Sequence, residues 1–278
     1  MTDYSTKLLL DTDALSVRDI VCSGNCRHKS AEECSSATYL VFPYRGVYVR
    51  HLNGEQAVAE ANQVLFFNQT ESYRISHPVG GGDACLSLCV SEGLLDELTP
   101  KEQRVKAAAL RFRTQRLRID ARTQMRVAAL RHGLSHNSGE TLEAEIRALT
   151  LSQCAVGVRD APVAARSRAQ RKLVDRAKLV LLSDLSRRWT LCDVAREVGA
   201  SPVYLTQIFQ QVEAMPLYRY QLRLRLTRAL DLLPRCDDLT DLSLGLGFSS
   251  HSHFTSAFRQ AYGSTPARFR QSLRRQNI

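Results

Sequence analysis

An internal repeat occupies the last third of the chain. Val194-Ala195, three residues and Gly199 are answered by Leu242-Ser243, three residues and Gly247. Ser201, Leu205, Phe209 and Tyr220 are answered by Ser250, Phe254, Phe258 and Phe269, each 49 residues further on. Turn residues and apolar faces that recur together describe one supersecondary unit made twice. In each copy an apolar stripe at helical spacing ends in a glycine, which takes the positive φ that stops a helix. A serine then caps a second stripe. Two short helices joined by such a break are the grammar of a helix-turn-helix, whose second helix enters a DNA major groove.

Each copy is locally consistent. Thr190 caps a helix with Asp193 as its capping-box partner, and Pro202 stands at the first position of the next, where a missing N–H costs nothing. Leu217 to Leu233 reads as one long helix with an apolar stripe of Leu222, Leu226, Ala229 and Leu233. Arg219, Arg223, Arg225 and Arg228 line its other faces. A rigid helix there fixes the spacing of two recognition helices, which must sit about 34 Å apart to enter successive grooves.

Leu242, Gly247, Phe248, Ser250, Phe254, Phe258, Gly263, Thr265, Pro266 and Arg270 together strongly resemble the signature of the AraC/XylS family of bacterial transcription regulators. Ser243 departs from the family's usual Ala, and Ala214 from its usual Gly at a helix end. The resemblance implies a sequence-specific DNA-binding regulator, controlled by an effector sensed in the N-terminal half. By position in the motif, the first recognition helix offers Val203, Thr206, Gln207 and Gln210, and the second His251, Ser252, His253 and Ser256. Gln207 suits adenine, Thr206 a thymine methyl, and the histidines guanine or phosphate. Arg259 and the linker arginines, Arg223 among them, are expected on phosphates. The first helix exposes no basic residue, so its base contacts are expected to be weak or apolar.

Charge follows the same division. Residues 159–278 hold 20 Lys+Arg against 10 Asp+Glu, and so carry the whole net charge of +10 of the 278-residue chain. A basic surface releases counterions from DNA, and the predominance of Arg over Lys favours forked contacts to phosphate and guanine. No apolar run is long enough to span a membrane, and the N-terminus does not read as a signal peptide. A cytoplasmic, nucleoid-associated location is expected, in which eight cysteines are not a disulfide framework.

From Ser16 to Val90 the pattern changes to short runs broken by turn signals. Strands are expected at Ser16–Cys22, Thr38–Phe42, Gly46–His51, Gln63–Phe67, Ser72–Ser76 and Ala84–Val90. This half resembles the cupin-like sensor barrel that many AraC-type regulators carry. The His pair, Glu and third His of a metal-binding cupin are not found, so sensing is expected rather than catalysis. Pocket candidates are Tyr48, Arg50, Tyr73 and His77, with Tyr39, Phe42, His51 and Phe67 beside them. An inward Arg50 would suit a carboxylate. Cys22, Cys26 and Cys34 fall close together with His28, and offer a minor alternative of soft-metal or thiol sensing against small buried side chains.

Helices are expected around Leu94–Leu98, from Gln115 to Leu134, and from Thr141 to Val156. His132 and His136 are expected to be exposed at a helix end. The last two long helices are expected to carry dimer contacts.

The reading is an α+β chain with a cupin-like sensor and dimerisation domain at 1–157, a linker at 158–167, and an all-α DNA-binding domain with two helix-turn-helix units at 168–278. Expected partners are double-stranded DNA, RNA polymerase, a small-molecule effector and a second copy of the chain. No cofactor, metal or membrane is expected. An enzyme fused to a DNA-binding domain, such as a methyl acceptor, would need a reactive Cys beside His and Glu, and no compact motif of that kind is present.

Overall fold

The computed structural model describes residues 4–24, 28–105, 110–136, 140–157 and 167–275. The expected linker lies outside these except for Ser167, and so does Cys26. The N-terminal strands are β1 (Tyr4–Asp11), β2 (Leu15–Cys22), β3 (Glu33–Cys34), β4 (Tyr39–Gly46), β5 (Tyr48–Leu52), β6 (Glu55–Ala59), β7 (Gln63–Phe67), β8 (Ser72–Ser76) and β9 (Asp83–Val90). After α1 (Glu92–Leu98) come β10 (Arg104–Val105), β11 (Arg111–Phe112) and β12 (Arg116–Arg118). One sheet runs β1-β2-β9-β4-β7-β12 and a second β3-β8-β5-β6. The chain passes between them at Gly46-Val47, where φ of Gly46 is +68°.

Strand alternation gives the larger sheet two apolar faces. Val41, Leu65, Phe67 and Cys85 point into the barrel, against Tyr48 and Ala59 of the second sheet. Leu40, Phe42, Val64, Phe66, Leu86 and Leu88 point out and are covered by α2 (Ala121–Ser135) and α3 (Thr141–Val156). Phe42, expected in the pocket, therefore belongs to the helix-covered face.

Two local expectations are corrected. The helix expected from Gln115 begins only at Ala121, because Asp120 accepts from the N–H of Thr123 as N-cap and β12 pairs with β7 instead. A strand absent from the expected set, Glu55–Ala59, pairs with β5 across the Asn53-Gly54 turn. His132 is buried at 8% exposure, with its ring centroid 4.3 Å from that of His136.

The C-terminal helices are α4 (Arg168–Ser183), α5 (Leu191–Val198), α6 (Pro202–Glu213), α7 (Leu217–Leu232), α8 (Leu239–Gly245), α9 (His251–Tyr262) and α10 (Pro266–Arg275). They form two cores. Leu173, Val194, Val198, Leu205, Phe209 and Tyr220 build the first, and Leu230, Phe248, Phe254, Phe258 and Phe269 the second. Helix α7 contributes to both, which makes it the spine of the domain.

A buried polar seam joins this domain to the barrel. The Tyr220 hydroxyl donates to Glu60 Oε1 at 2.7 Å, and Arg223 donates to the carbonyl of Ile119 at 2.8 Å. Arg116 binds Asp175 at 3.1 Å, while Glu213 meets Lys178 at 2.6 Å and Arg118 at 3.5 Å. Arg131 reaches Asp231 at 2.6 Å.

Burial pushes the Glu60 carboxyl above its ordinary value, against the opposing pull of Lys178 and the bonds from Tyr220 and Asn62. A raised carboxyl favours the folded state fully below the unfolded value of about 4.3, and that contribution is lost as pH rises through the folded value. Wild type is therefore expected to lose thermal stability relative to Glu60→Gln as pH rises from about 4 to 7. Melting curves of both proteins over that range check it, and parallel curves would remove Glu60 from the account.

Candidate nucleic-acid interface

The two recognition helices are positioned by the turns before them. Thr190 and Asp193 form a reciprocal capping box on α5, and Gly199 closes that helix at φ +65°. Ser201 accepts from the N–H of Tyr204 to start α6, and Ser250 from that of His253 to start α9. These caps satisfy the orphan N–H groups of each first turn and leave the outer face of each helix for a ligand. Ala214 takes the left-handed conformation of the missing glycine, at φ +47°. Ser243 is fully buried and donates to the Thr240 carbonyl at 2.8 Å.

On α6 the side chains of Val203, Thr206, Gln207 and Gln210 are all exposed, Val203 at 68%. Tyr204, which the sequence reading passed over, shares that surface at 45% exposure. Its signal was present, since an aromatic at N3 of a recognition helix with no place in the apolar stripe has to face outward. Thr206 donates its hydroxyl to the Pro202 carbonyl at 2.9 Å, which leaves its methyl and oxygen lone pairs for a base.

On α9, His251, Ser252, His253, Ser256 and Arg259 are exposed. His253 is held in place, with Nδ1 3.1 Å from Ser249 Oγ and its ring edge-on to Phe248. That contact occupies Nδ1 and leaves Nε2 with the exposed face of the helix.

The linker arginines divide. Arg223 faces the barrel through its bond to Ile119 and is not part of either recognition surface. Arg225 donates to the carbonyls of Leu185 at 2.7 Å, Arg187 at 2.8 Å and Gly247 at 2.9 Å. It ties the entrance of the first unit to the turn of the second. Arg270 donates to the Cys236 carbonyl at 2.9 Å and pins the loop before α8. Arg187, Arg188, Arg196, Arg219, Arg235, Arg259 and Arg268 remain exposed.

In the barrel, Arg50 points inward but is already matched. It bonds to Glu71 and to the Phe66 carbonyl, and its guanidinium lies 3.9 Å from the Phe67 ring centroid. An effector carboxylate would have to displace Glu71. Tyr48 is buried and Tyr73 half-buried in the same interior, and His77 is bound to Asp83. Tyr73 also borders an open cavity of about 290 Å3 beside the β5-β6 hairpin, with His51, Gln56 and Arg74. Cys22 ends β2 and Cys34 is exposed on β3, while Cys26 lies outside the described residues.

Paired helix-turn-helix units on a shared helix define a DNA-binding domain. Residues 194–272 match the family model described as "Helix-turn-helix domain". The HTH-type transcriptional regulator ExsA of Pseudomonas aeruginosa is 31% identical over 99 residues, covering 35% of this chain and 36% of that protein. The regulatory protein PocR of Salmonella typhimurium is 34% identical over 90 residues, covering 32% and 30%. The probable transcription factor PqrA of Proteus vulgaris is 34% identical over 80 residues, covering 28% and 66%. A solved structure of an AraC-type transcriptional regulator from Chromobacterium violaceum has 28% identity and a TM-score of 0.36, covering 38% of this chain and 96% of that one. A point variant of apo ToxT from Vibrio cholerae has 11% identity and a TM-score of 0.37, covering 95% and 99%. The match spans about a third of the length of the first curated relatives. Residues 194–272 form a helix-turn-helix domain similar to that of AraC-type transcription regulators.

Proposed function

We propose that the chain is a sequence-specific transcription regulator whose DNA binding is controlled by a signal received in the N-terminal barrel. The observation that carries this is the pairing of two capped recognition helices on one spine, α7, which the barrel grips along its length. The exposed α6 and α9 residues supply base reading, and the exposed arginines supply phosphate affinity. Its setting is the cytoplasm, on chromosomal DNA, as a homodimer that contacts RNA polymerase. The exposed Leu142 and Ile146 of α3, at 62% and 55%, support that helix as the dimer face. Residues 1–157 act as sensor and 168–278 as DNA-binding domain, joined at 158–167. Nothing in this role requires catalysis.

Binding of the full chain to the DNA flanking its own gene, across a salt series with random competitor, tests the reading. Saturable binding that survives the competitor is expected. Binding erased by random DNA under every effector condition would sink it. Within the same assay, Gln207→Ala is expected to relax preference at one base position by about 1–3 kcal/mol. Arg259→Ala is expected to weaken all sequences alike and reduce the salt slope by about one. The reverse pattern would exchange the roles given to these residues.

A further inference from the structure

We propose that Cys22, His77 and Asp83 bind one zinc-class divalent ion at an end of the barrel, and that this ion is an input to the DNA-binding domain. The donor atoms of the three side chains lie within 4.8 Å of one another. His77 and Asp83 are buried, and His77 Nε2 lies 2.6 Å from Asp83 Oδ1. The three come from separate segments. Cys22 ends β2 directly opposite Asp83, which begins β9, and His77 follows β8 of the other sheet.

The backbone around them is held by close glycine contacts. Gly24, Gly46 and Gly82 all have positive φ. A Cβ on Gly46 would lie 1.9 Å from the Gly82 carbonyl oxygen, and one on Gly82 would lie 2.3 Å from that of Cys22. Three strand ends are thus packed to a spacing that only glycine permits, and Cys22 and Asp83 project from that packed frame.

The donor set suits the ion. Sulfur, imidazole nitrogen and carboxylate oxygen are all zinc ligands, and bonds of about 2.0–2.3 Å require donors roughly 3.3–3.8 Å apart in a tetrahedron. Closing from within 4.8 Å takes only side-chain adjustment of roughly 1 Å, with the ion replacing the His77–Asp83 hydrogen bond. Thiolate and carboxylate together neutralise a divalent cation, so the filled site would carry no net charge into the interior.

The site has a mechanical outlet. Val79, two residues after His77, packs with Val47, Val49 and Val58 against Leu179 and Leu182 of α4. Drawing His77 toward an ion would shift the segment after β8, whose Val79 packs beneath the first helix of the DNA-binding domain. This regulatory half rests on the reading proposed above, whereas ion binding does not.

The experiment is titration of the reduced full chain with Co2+, followed by displacement with Zn2+. One equivalent is expected, with thiolate-to-cobalt charge-transfer absorption and the visible bands of tetrahedral cobalt. Cys22→Ser keeps the side-chain size and is the deciding variant. It should abolish the charge-transfer band and weaken binding by roughly 100-fold or more, with an unchanged melting curve without metal. His77→Gln and Asp83→Asn should weaken binding, and Cys34→Ser should leave it intact. Absence of the band, or its survival in Cys22→Ser, overturns the site. Operator DNA affinity with and without Zn2+ tests the outlet. A change seen in wild type and lost in Cys22→Ser supports it, and an unchanged affinity with metal bound refutes the regulatory half alone.

Discussion

Gly247→Ala should cost the C-terminal domain roughly 2–5 kcal/mol and abolish specific DNA binding, while Gly199→Ala at the matching position costs only about 1–2. Both glycines have positive φ, +80° and +65°, so each alanine suffers the steric cost of the left-handed region. Their surroundings differ. A Cβ on Gly247 would lie 2.2 Å from the Ser186 carbonyl oxygen and 2.8 Å from Arg225 Nη2, whereas one on Gly199 meets nothing within 4 Å. The Ser186 contact is backbone of the other helix-turn-helix unit, so a side chain there must push the units apart. Arg225, which bonds to both sides of the contact, would lose its geometry as well. Urea midpoints of the two variants beside wild type decide the matter. Equal losses would show that the second turn bears no special contact.

Glu213→Ala should destabilise the protein by about 3–5 kcal/mol, because it strands a buried cation. Lys178 is fully buried, and its partners are Glu213 at 2.6 Å and Asp175 at 3.9 Å. Burial raises the Glu213 carboxyl, but the charges of Lys178 and Arg118 outweigh it and hold the group below its ordinary value. A depressed carboxyl contributes stability above the unfolded value of about 4.3, and loses it as pH falls through the lower folded value. The pair replaced together, Lys178→Met with Glu213→Leu, should recover to within about 1–2 kcal/mol of wild type, since neither charge is then left unpaired. A double-mutant cycle in which the two losses simply add would refute the coupling.

Where local chemistry decided a structure, the sequence was readable. Capping residues, stop glycines and apolar stripes placed α5, α6, α8 and α9 to within a residue or so, because each signal acts over one or two turns. Strands β7 and β8 were legible between their turn residues for the same reason. Strand β6 was not, because Glu55-Gln56-Ala57-Val58-Ala59 has helix formers whose conformation is set by pairing with β5. The exposed recognition faces followed from the stripe opposite them. Arg223 did not, because a basic residue on an amphipathic helix reads as solvated and only the docked barrel shows its partner. Lys178 and Glu213 were hidden in the same way. Cys22, His77 and Asp83 lie too far apart in the chain for any spacing rule, and the pairing of Cys22 with Asp83 is what unites them.

The position of α7 carries a consequence for how such a chain reads its operator. The helix is 16 residues long, about 24 Å, and it links two cores that each present one reading surface. Its barrel-facing side is held at Tyr220, Arg223 and Asp231, nearly end to end. A surveyor's staff braced along its whole length measures one distance only. A grip that slackens at one point would let the rigid helix, and both units with it, turn against the barrel. In the regulator proposed above, the barrel would have no need to touch any DNA-facing residue, since its grip on the helix would set how the two units are presented to paired half-sites.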